Sequence, residues 1–452
     1  MKKYYHFIGI GGIGMSGIAS ILLKGGFKVS GSDLKANRVT EELSRLGCRI
    51  FIGHDAKNIN GQEAVVYSSA IREDNPEMRK ALALGIPLIK RAQALADLMR
   101  EKSAITVAGS HGKTTTTSLI SYMLIEAGLC PTVAIGGILK NIDTNACLGS
   151  GEFFVAEADE SDGSFLYYRP KYSIITNIDH EHLDYYRDFD NQLSAFRDFI
   201  KRTRKGGCIL ACGDDPNLVK LTKASGSRHL FFGLKKGADI YAKNMLLGGL
   251  SSDFDCYLKH KFISRFHLAL GGRHNISNSL AVIGLGLELG IELKHIRRCL
   301  QAYKGAGRRL EIRFQNDKYL LIDDYAHHPT EIKATLAALT DLKPRRRIVI
   351  FQPHRYSRTQ LLLDEFAGSF DQADYLIITD IYAASEQPIA GVNSRALLKR
   401  IKDAYADKEA VYLEKEKITG HIKKIIRPGD LVVTLGAGDI VKISDALAEE
   451  FK

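Results

Sequence analysis

The chain contains no apolar run long enough to cross a lipid bilayer, which would need about 20 consecutive apolar residues. No cleavable signal segment is evident either, because the first residues lead directly into a short apolar stretch that we interpret as a strand. From these two absences we expect no membrane insertion and a cytoplasmic location.

Paired cysteines are also missing. The seven cysteines are scattered along the chain, and none forms a Cys-x-x-Cys motif. The spacing of Cys208 and Cys212 is loose, and no second pair is present to complete a zinc site. We therefore expect reduced, structural thiols and no zinc.

A long basic segment is absent, although the net charge is +11. The densest basic clusters, residues 201–205 and 344–347, lie in predicted turns. A small polyanionic substrate or a solvated basic surface explains this excess as well as a nucleic acid would. We favour these explanations and predict no nucleic-acid partner.

Repeats and low-complexity segments are absent from the 452 residues, a length that suggests about three domains. Apolar strands followed by amphipathic helices recur instead, which predicts an α/β fold with parallel sheets. Predicted strands are Tyr5–Ile10, Lys28–Ser32, Ala64–Ser68, Ala104–Ala108, Phe153–Ala158, Ser173–Asn177, Tyr319–Asp323, Arg347–Phe351, Tyr375–Asp380 and Leu431–Leu435. Short antiparallel strands are expected at 239–266, and domain boundaries near residues 100 and 306.

The most specific motif is a glycine-containing turn between a strand and a helix, Gly109-x-x-Gly112-Lys113-Thr114. Backbone N–H groups of such a turn, and of the helix that follows, can surround phosphate oxygens. Lys113 would reach the β- and γ-phosphates, and the Thr114 hydroxyl would bind Mg²⁺. The turn is shorter than the general P-loop, which has glycine where this chain has Val107. The motif predicts that the protein uses a nucleoside triphosphate.

A second glycine-rich turn, Gly9–Gly14, lies between the first strand and the first helix, and Asp33 follows about 20 residues later. This pattern predicts binding of a diphosphate and a ribose. NAD(P) is the usual ligand, but any nucleoside diphosphate satisfies the same geometry. Ser68 and Ser69, at the end of a later strand, could donate hydroxyl groups to the same ligand.

Carboxylates cluster at 157–162, where a predicted strand ends, and a second polar stretch at 176–184 ends another. Ligands of open parallel sheets lie beyond the carboxyl ends of the strands, so Glu157 should lie near the phosphate-binding turn. Mg²⁺ prefers a few carboxylates together with phosphate oxygens and water. The sequence leaves open whether His182 binds a metal or is structural.

Two further stretches carry polar residues. Asn275 and Asn278 lie one turn apart at a predicted helix start, where capping is favoured over contact with a purine. In the last third, histidine, tyrosine and arginine follow two strands, at 323–330 and 351–358. Such groups suit a substrate that carries a carboxylate, which arginine can bind through two hydrogen bonds.

The order of these motifs resembles the Mur ligase family of ATP-dependent amide-bond-forming enzymes over essentially the whole chain. The resembling stretches are 9–16, 109–117, 157–162, 176–184, 274–278, 308–311, 323–330 and 351–359. The short phosphate-binding turn is itself usual in this family. The resemblance is greatest to the branch that joins L-alanine to the lactyl carboxylate of UDP-N-acetylmuramate, and it leaves the oligomeric state, monomer or dimer, open.

The resemblance implies three α/β domains. A Rossmann-like domain at residues 1–99 would bind the UDP moiety, a P-loop ATPase-like domain at 100–305 would bind ATP, and a Rossmann-like domain at 306–452 would bind the amino acid. With the three ligands on three domains, domain closure is expected to assemble the site.

The resemblance also implies a role for individual residues. UDP-substrate contacts are expected from Gly9, Gly11, Gly12, Gly14, Asp33, Ser68 and Ser69. Phosphate contacts are expected from Gly109, Ser110, His111, Gly112, Lys113, Thr114 and Thr115, and nucleotide contacts from His274, Asn275, Asn278, Arg309 and Asp324. Mg²⁺ ligands are expected to be Thr114, Glu157 and His182. Tyr325, His327, His354, Arg355 and Arg358 would surround the amino acid and the acyl group. The implied catalytic residues are Lys113, Glu157, His182, Arg309 and His327.

Two details depart from the family pattern. Family members often have aspartate before the metal-binding histidine, where this chain has Glu181. Some branches use a carbamylated lysine on the following helix, which here offers Lys201 or Arg197, and neither is assigned that role.

Alternatives remain at this stage. A related branch attaches a preformed tripeptide during wall recycling, although 351–355 and 160–162 favour the L-alanine branch. A folate polyglutamating ligase lacks the first glycine-rich domain. A nicotinamide oxidoreductase would leave the second phosphate-binding turn unused, and a nucleotide-sensing module would not explain the histidines and arginines of the last third.

Overall fold

The computed structural model describes residues 3–68, 70–405 and 407–452. These residues form two compact units, which we describe separately. The first comprises the chain up to Lys243 together with Asp255–Ser264 and Ser277–Lys304, and the second comprises Asn244–Phe254, Arg265–Ile276 and Gly305–Lys452.

The first sheet has five parallel strands within the described ranges, in the order β3-β2-β1-β4-β5. These are β1 (Tyr4–Ile8), β2 (Lys28–Asp33), β3 (Arg49–Ile52), β4 (Ala64–Tyr67) and β5 (Leu88–Lys90). The helices between and after them are α1 (Ile13–Lys24), α2 (Arg38–Arg45), α3 (Pro76–Ala83) and α4 (Arg91–Met99).

The second sheet has ten strands among the residues that the structure covers, in the order β15-β14-β13-β12-β11-β10-β6-β9-β7-β8. They are β6 (Ser103–Ala108), β7 (Thr132–Leu139), β8 (Thr144–Cys147), β9 (Phe153–Glu157), β10 (Tyr172–Ile175), β11 (Cys208–Cys212), β12 (His229–Gly233), β13 (Ile240–Leu247), β14 (Ser252–Leu258) and β15 (Lys261–Leu268). The associated helices are α5 (Lys113–Glu126), α6 (Leu183–Tyr186), α7 (Phe189–Lys201), α8 (Pro216–Ala224), α9 (Arg273–Glu288) and α10 (Leu293–Ala302).

The third sheet has six strands in the described part of the chain, in the order β16-β17-β21-β18-β19-β20, and only the edge strand β16 is antiparallel. The strands are β16 (Glu311–Gln315), β17 (Tyr319–Asp324), β18 (Arg346–Phe351), β19 (Tyr375–Ile378), β20 (Glu409–Tyr412) and β21 (Asp430–Leu435). The helices are α11 (Pro329–Leu339), α12 (Tyr356–Leu361), α13 (Leu363–Ala367), α14 (Ser394–Ala404), α15 (Lys415–Ile425) and α16 (Val441–Glu450).

Strand β18 illustrates why these sheets form. Val349 and Phe351 belong to one buried apolar cluster, and Ile348 and Ile350 belong to another. Successive side chains of a strand point to opposite faces, so a strand that is apolar on both faces needs helices on both sides. The predicted α/β class with parallel sheets is confirmed, and every strand predicted from the sequence overlaps an observed one. Three strands, β13–β15, also form where short strands were expected.

A buried polar network lies within the first sheet and its helices. The carboxylate of Glu77 is fully buried and accepts hydrogen bonds from Ser32 Oγ at 2.6 Å and from Asn58 Nδ2 at 2.6 Å. The rings of His6 and His54 approach the same carboxylate at 3.6 and 3.3 Å. Burial opposes the charged form of Glu77, but the hydrogen bonds from His6, Ser32 and Asn58 outweigh it and lower its pKa.

Candidate active site

The phosphate-binding turn connects β6 to α5, and two of its glycines have backbone angles that other residues adopt with difficulty. Gly109 has φ +124° and Gly112 has φ +82°. A Cβ on Gly109 would lie 2.2 Å from Thr176 Oγ1, and one on Gly112 would lie 2.7 Å from Asn278 Oδ1. The turn is therefore packed closely against the end of β10 and against α9, where only glycine fits.

Residues that follow β10 hold this turn in shape. Asn177 accepts the backbone N–H of Ser110 on its carbonyl oxygen at 3.1 Å and that of His111 on its side chain at 2.9 Å. Thr176 Oγ1 donates to the His111 carbonyl at 2.6 Å, and the His111 ring lies 2.9 Å from Asp179 Oδ2. The first N–H groups of α5 have no partner within the helix, and no side-chain cap at Gly112 is found among the described residues. They are therefore suited to bind a phosphate.

Lys113, the first residue of α5, lies among oxygen acceptors. Its Nζ is 2.8 Å from Glu160 Oε1, and it also donates to the carbonyls of Gly109 at 2.7 Å and Ser110 at 3.1 Å. Burial disfavours the charged form of Lys113, but the carboxylates of Glu160 and Asp159 outweigh it and raise its pKa. The lysine is therefore a fixed positive charge at the helix start.

The predicted metal ligands fall into two neighbouring groups. Thr114 Oγ1 lies 3.3 Å from Glu157 Oε2, and Glu157 Oε1 accepts the N–H of Gly136 at 2.7 Å. The His182 ring lies instead 3.7 Å from both Glu160 and Glu181, and one ligand atom from each of these three residues fits within 4.8 Å. The structure thus brings Thr114 to Glu157 and surrounds His182 with two other carboxylates.

Glu160 is a candidate that the sequence analysis did not single out. Burial raises its pKa to about 7, in spite of the adjacent Lys113. Its Oε2 is buried and has no hydrogen-bond partner among the described residues. An oxygen in that position, beside another carboxylate and a histidine, suits a hard divalent cation such as Mg²⁺. The acidic run at 157–162 was the available signal, but it did not indicate which carboxylate turns inward.

The glycine-rich turn of the first sheet lies between β1 and α1. The N–H groups of Gly9 and Ile10 donate to the Ser32 carbonyl at 2.8 and 2.9 Å, and that of Gly11 donates to Asp33 Oδ2 at 2.8 Å. Asp33 therefore binds the turn itself, and its predicted contact with the UDP substrate stays a prediction. Helix α1 begins after Gly12, where no side-chain cap is found within the described ranges, so its N-terminus is open to an anion.

Two predicted contacts of this domain lie after β4. Ser68 follows the strand, and its carbonyl accepts the N–H of Ile71 at 3.1 Å. Ser69, the other predicted hydroxyl donor, lies outside the described residues.

The start of α9 differs from the sequence interpretation. The helix begins at Arg273, and the Gly272 carbonyl accepts the N–H of Ile276 at 3.2 Å. Asn275 and Asn278 therefore lie inside the helix, and the expectation that they cap it is wrong, because Gly272 with φ +96° begins the helix earlier. The buried Asn275 side chain donates to the Gly271 carbonyl at 2.8 Å. Burial lowers the pKa of neighbouring His274 to about 4.

At the end of β17, Asp324 organises its surroundings through the backbone. Its carboxylate accepts the N–H groups of Leu310 at 2.7 Å and Ala326 at 2.8 Å, and burial raises its pKa to about 6. The Arg309 guanidinium lies 4.9 Å from the centre of the Tyr325 ring and 3.6 Å from Glu331. Arg309, Asp324 and Tyr325 are thus neighbours, and the nucleotide contacts expected of Arg309 and Asp324 stay predictions.

Four of the residues predicted to surround the amino acid form a continuous cluster in the second unit. Ring centres are 5.3 Å apart for Tyr325 and His327 and 5.5 Å apart for His327 and His354, and Arg358 Nη1 lies 3.1 Å from His354 Nδ1. Burial, and to a lesser extent the neighbouring His327 and Arg358, lower the pKa of His354 to about 2, so this ring is neutral. Arg355, with φ +69°, donates its N–H to the Tyr382 carbonyl at 2.8 Å.

His327 has a different electrostatic setting from that of His354. Its Nδ1 lies 3.2 Å from Glu331 Oε2 and 3.0 Å from the Tyr325 carbonyl. A carboxylate in that position orients the ring and favours a proton on Nδ1, which leaves Nε2 available as a base.

No helix in the described ranges is long and apolar enough to cross a membrane.

Family models match nearly the whole chain in three consecutive segments. Residues 4–103 match "Mur ligase family, catalytic domain", residues 107–286 match "Mur ligase middle domain", and residues 308–438 match "Mur ligase, glutamate ligase domain". The expected three-domain α/β organisation is therefore confirmed.

Curated relatives and solved structures agree with these matches. UDP-N-acetylmuramate–L-alanine ligase from Desulfatibacillum aliphaticivorans is 48% identical over 98% of both chains, and the one from Aquifex aeolicus is 45% identical over 99% of this chain and 98% of that protein. The crystal structure of UDP-N-acetylmuramate-alanine ligase from Thermotoga maritima aligns with a TM-score of 0.85 at 31% identity, covering 99% of each chain. A murein peptide ligase from Psychrobacter arcticus, at 24% identity and TM-score 0.72, shares the fold.

Proposed function

The chain belongs to the Mur ligase family, and we propose that it joins L-alanine to the lactyl carboxylate of UDP-N-acetylmuramate while ATP is converted to ADP and phosphate. The observation that carries this proposal is similarity over the full length, at 43–48% identity, to ligases named for that reaction. The arrangement around Lys113 supports the use of ATP. Because the reaction consumes ATP, we expect the enzyme to work in the cytoplasm.

In the first chemical step the lactyl carboxylate attacks the γ-phosphorus of ATP, ADP leaves, and an acyl phosphate forms. We propose that the N–H groups from Gly112 to Thr115 and the ammonium of Lys113 bind the phosphates and stabilise the charge that spreads over the transferred group. The side chains of Thr176, Asn177 and Asp179 keep the turn in the shape that this requires.

The acidic groups beside the turn fit a bound Mg²⁺, which we propose as a cofactor. Thr114 and Glu157 would supply one set of oxygen ligands, and Glu160, Glu181 and His182 would supply a second set made of carboxylate oxygens and one ring nitrogen. When bound, Mg²⁺ would neutralise phosphate charge. Glu160 has a second role in this proposal, because its carboxylate holds the Lys113 ammonium at 2.8 Å and so fixes its direction.

In the second step the neutral amine of L-alanine attacks the acyl phosphate carbonyl, and phosphate leaves as the amide bond forms. We propose that Arg355 and Arg358 bind the carboxylate of L-alanine and that Tyr325 and neutral His354 shape its pocket. A base must take one proton from the attacking amine, and His327 is one candidate and the departing phosphate is the other. Arg309, beside Tyr325, supplies positive charge toward the nucleotide.

The experiment that tests this function is phosphate release from ATP with magnesium and UDP-N-acetylmuramate, with L-alanine, glycine, L-serine or the stem tripeptide added in turn. Release that requires both the UDP sugar and L-alanine is the expected result. Release only with the tripeptide would assign the chain to the recycling branch, and no release with any combination would contradict a ligase function.

A further inference from the structure

Arg91, the first residue of α4, lies where the glycine-rich turn meets the acidic stretch that follows β9. Its Nη1 is 2.6 Å from the position that a Cβ on Gly14 would occupy, in the first turn of α1. Its Nη2 is 3.5 Å from Asp159 Oδ2. The guanidinium therefore lies beside the open N-terminus of α1 and one residue away from Glu160, the partner of Lys113.

This position is electrostatically unfavourable unless an anion is present. The N-terminus of a helix carries a partial positive charge, so α1 and α4 both repel a cation at their starts. Asp159 compensates only in part, because its Oδ2 lies 3.5 Å from Arg91 Nη2, which is longer than a close hydrogen bond between charged groups. An anion of a ligand at the start of α1 would therefore be stabilised by both the helix N-terminus and the Arg91 guanidinium.

The arrangement is rigid on both sides. The Lys90 N–H donates to Gln93 Oε1 at 3.0 Å, which fixes the start of α4, and Ser161 donates its N–H to Asp159 at 3.1 Å. Asn145, in β8, donates to the carbonyl of Ile13 at 2.7 Å and holds the first residue of α1. The Arg91 side chain is 28% exposed, so an incoming ligand can reach it.

We propose that Arg91 binds the diphosphate of the UDP substrate at the N-terminus of α1. The inference rests on the proposed function, since that function supplies the UDP ligand. A planar guanidinium with several donors suits a diphosphate better than a point charge does. None of the motifs in the sequence points to this residue, because it lies 77 positions from Gly14 at the start of a separate helix.

The test is calorimetric binding of UDP and of UDP-N-acetylmuramate to three variants of the full chain. Arg91→Gln, which is neutral and of similar size, should weaken both ligands about tenfold or more, because a hydrogen bond between charged groups is lost. Arg91→Lys should restore part of this loss by returning the charge. Arg100→Ala, at the other end of α4 and exposed, should leave both affinities within about twofold of the wild type.

The competing explanations give different results. Wild-type affinity for UDP in Arg91→Gln would overturn the proposal, and so would weakening confined to UDP-N-acetylmuramate, which would place Arg91 at the lactyl group instead. Equal losses of affinity in Arg91→Gln and Arg91→Lys would show that the positive charge at this position does not contribute to binding. Failure of the wild-type protein to bind UDP-N-acetylmuramate would contradict the proposed function itself, independently of Arg91.

Two further measurements guard against a folding artefact. Binding of a non-hydrolysable ATP analogue in the absence of UDP ligand should change less than about twofold in Arg91→Gln, since the contacts found for Arg91 in the described part of the chain are with α1 and Asp159. Asp159→Asn, which removes the competing carboxylate, should bind UDP at least as tightly as the wild type. A loss of UDP affinity in Asp159→Asn as large as that in Arg91→Gln would mean that the ion pair alone matters, against the proposal.

Discussion

The Nζ atom of Lys113 lies 2.8 Å from Oε1 of Glu160, a carboxylate whose side chain is fully buried. The lysine that we propose to bind the phosphates of ATP is therefore held in one direction by a neighbouring carboxylate and is not a mobile side chain. This ion pair joins the start of α5 to the loop that follows β9, so the phosphate-binding turn and the acidic groups are held together.

Replacing Lys113 by alanine should reduce phosphate release by about a thousandfold or more, because a charge aimed at the transferred phosphoryl group is lost. Binding of UDP-N-acetylmuramate, measured by calorimetry, should survive. Lys220→Ala, an exposed lysine of α8, is the matched control and should keep wild-type turnover. Near-normal turnover in Lys113→Ala would contradict the assigned role.

Gly109→Ala should weaken binding of a fluorescent ATP analogue severely, because the added Cβ would lie 2.2 Å from Thr176 Oγ1 and displace the turn. Gly128→Ala separates this clash from backbone strain. Gly128 also has positive φ, +73°, but a Cβ there would meet nothing within 4 Å. The control should lose about 1 kcal/mol of unfolding free energy and bind the analogue normally. Similar losses of binding in both variants would mean that strain, and not contact with Thr176, matters.

His274 should make the protein less stable in acid. Burial lowers the pKa of its ring to about 4. The unfolded chain takes up this proton near pH 6.5, whereas the folded chain does not until about pH 4. The folded state therefore loses stability as the pH falls through this window. In His274→Gln, the drop in urea midpoint between pH 7 and pH 4.5 should be smaller than in the wild type.

The control for this prediction is His267→Gln, which replaces a more exposed histidine of β15. Its drop in urea midpoint between the two pH values should remain close to that of the wild type. If His274→Gln loses stability in acid as steeply as the wild type does, the buried ring is not the cause.

Glu77→Gln should lower the unfolding free energy by about 2 kcal/mol. The charged hydrogen bonds from Ser32 and Asn58 become neutral ones, and the NH₂ group of the new amide faces a side chain that donated to the carboxylate. Glu73→Gln, an exposed change in the same domain, should have little effect. Urea unfolding followed by circular dichroism measures both. Unchanged stability in Glu77→Gln would indicate that the carboxyl is already protonated in the native protein.

The fold was largely predictable because its signal is local. Strands such as β6 and β18 are apolar runs bounded by turns, and they were found from the sequence alone. Strands β5 and β3 were not predicted, because they are short and neither contains a fully buried apolar residue. Strand β5 forms because it pairs with β4, and β3 forms because it pairs with β2. That pairing depends on the tertiary structure and not on the local sequence.

The candidate site was predictable only as far as its motifs reach. The closeness of Thr114 to Glu157 follows from two parallel strands that end side by side. The inward direction of Glu160 does not, because the alternation of a strand has ended by that point and Gly163, with φ +67°, turns the chain. The network around Glu77 and the position of Arg91 join residues far apart in sequence, so no spacing rule could reveal them.

The hydrogen bonds from Thr176 and Asn177 to the phosphate-binding turn bear on how fast and how tightly a nucleotide is captured. Ordering a residue that is loose in the free protein costs about 1–2 kcal/mol, and that cost is subtracted from affinity. Here the dihedral angles of the turn are set by the protein itself, so capture of ATP involves no ordering of the turn. Association should then proceed in a single phase limited by encounter, with no slow rearrangement of the turn before the nucleotide is seated.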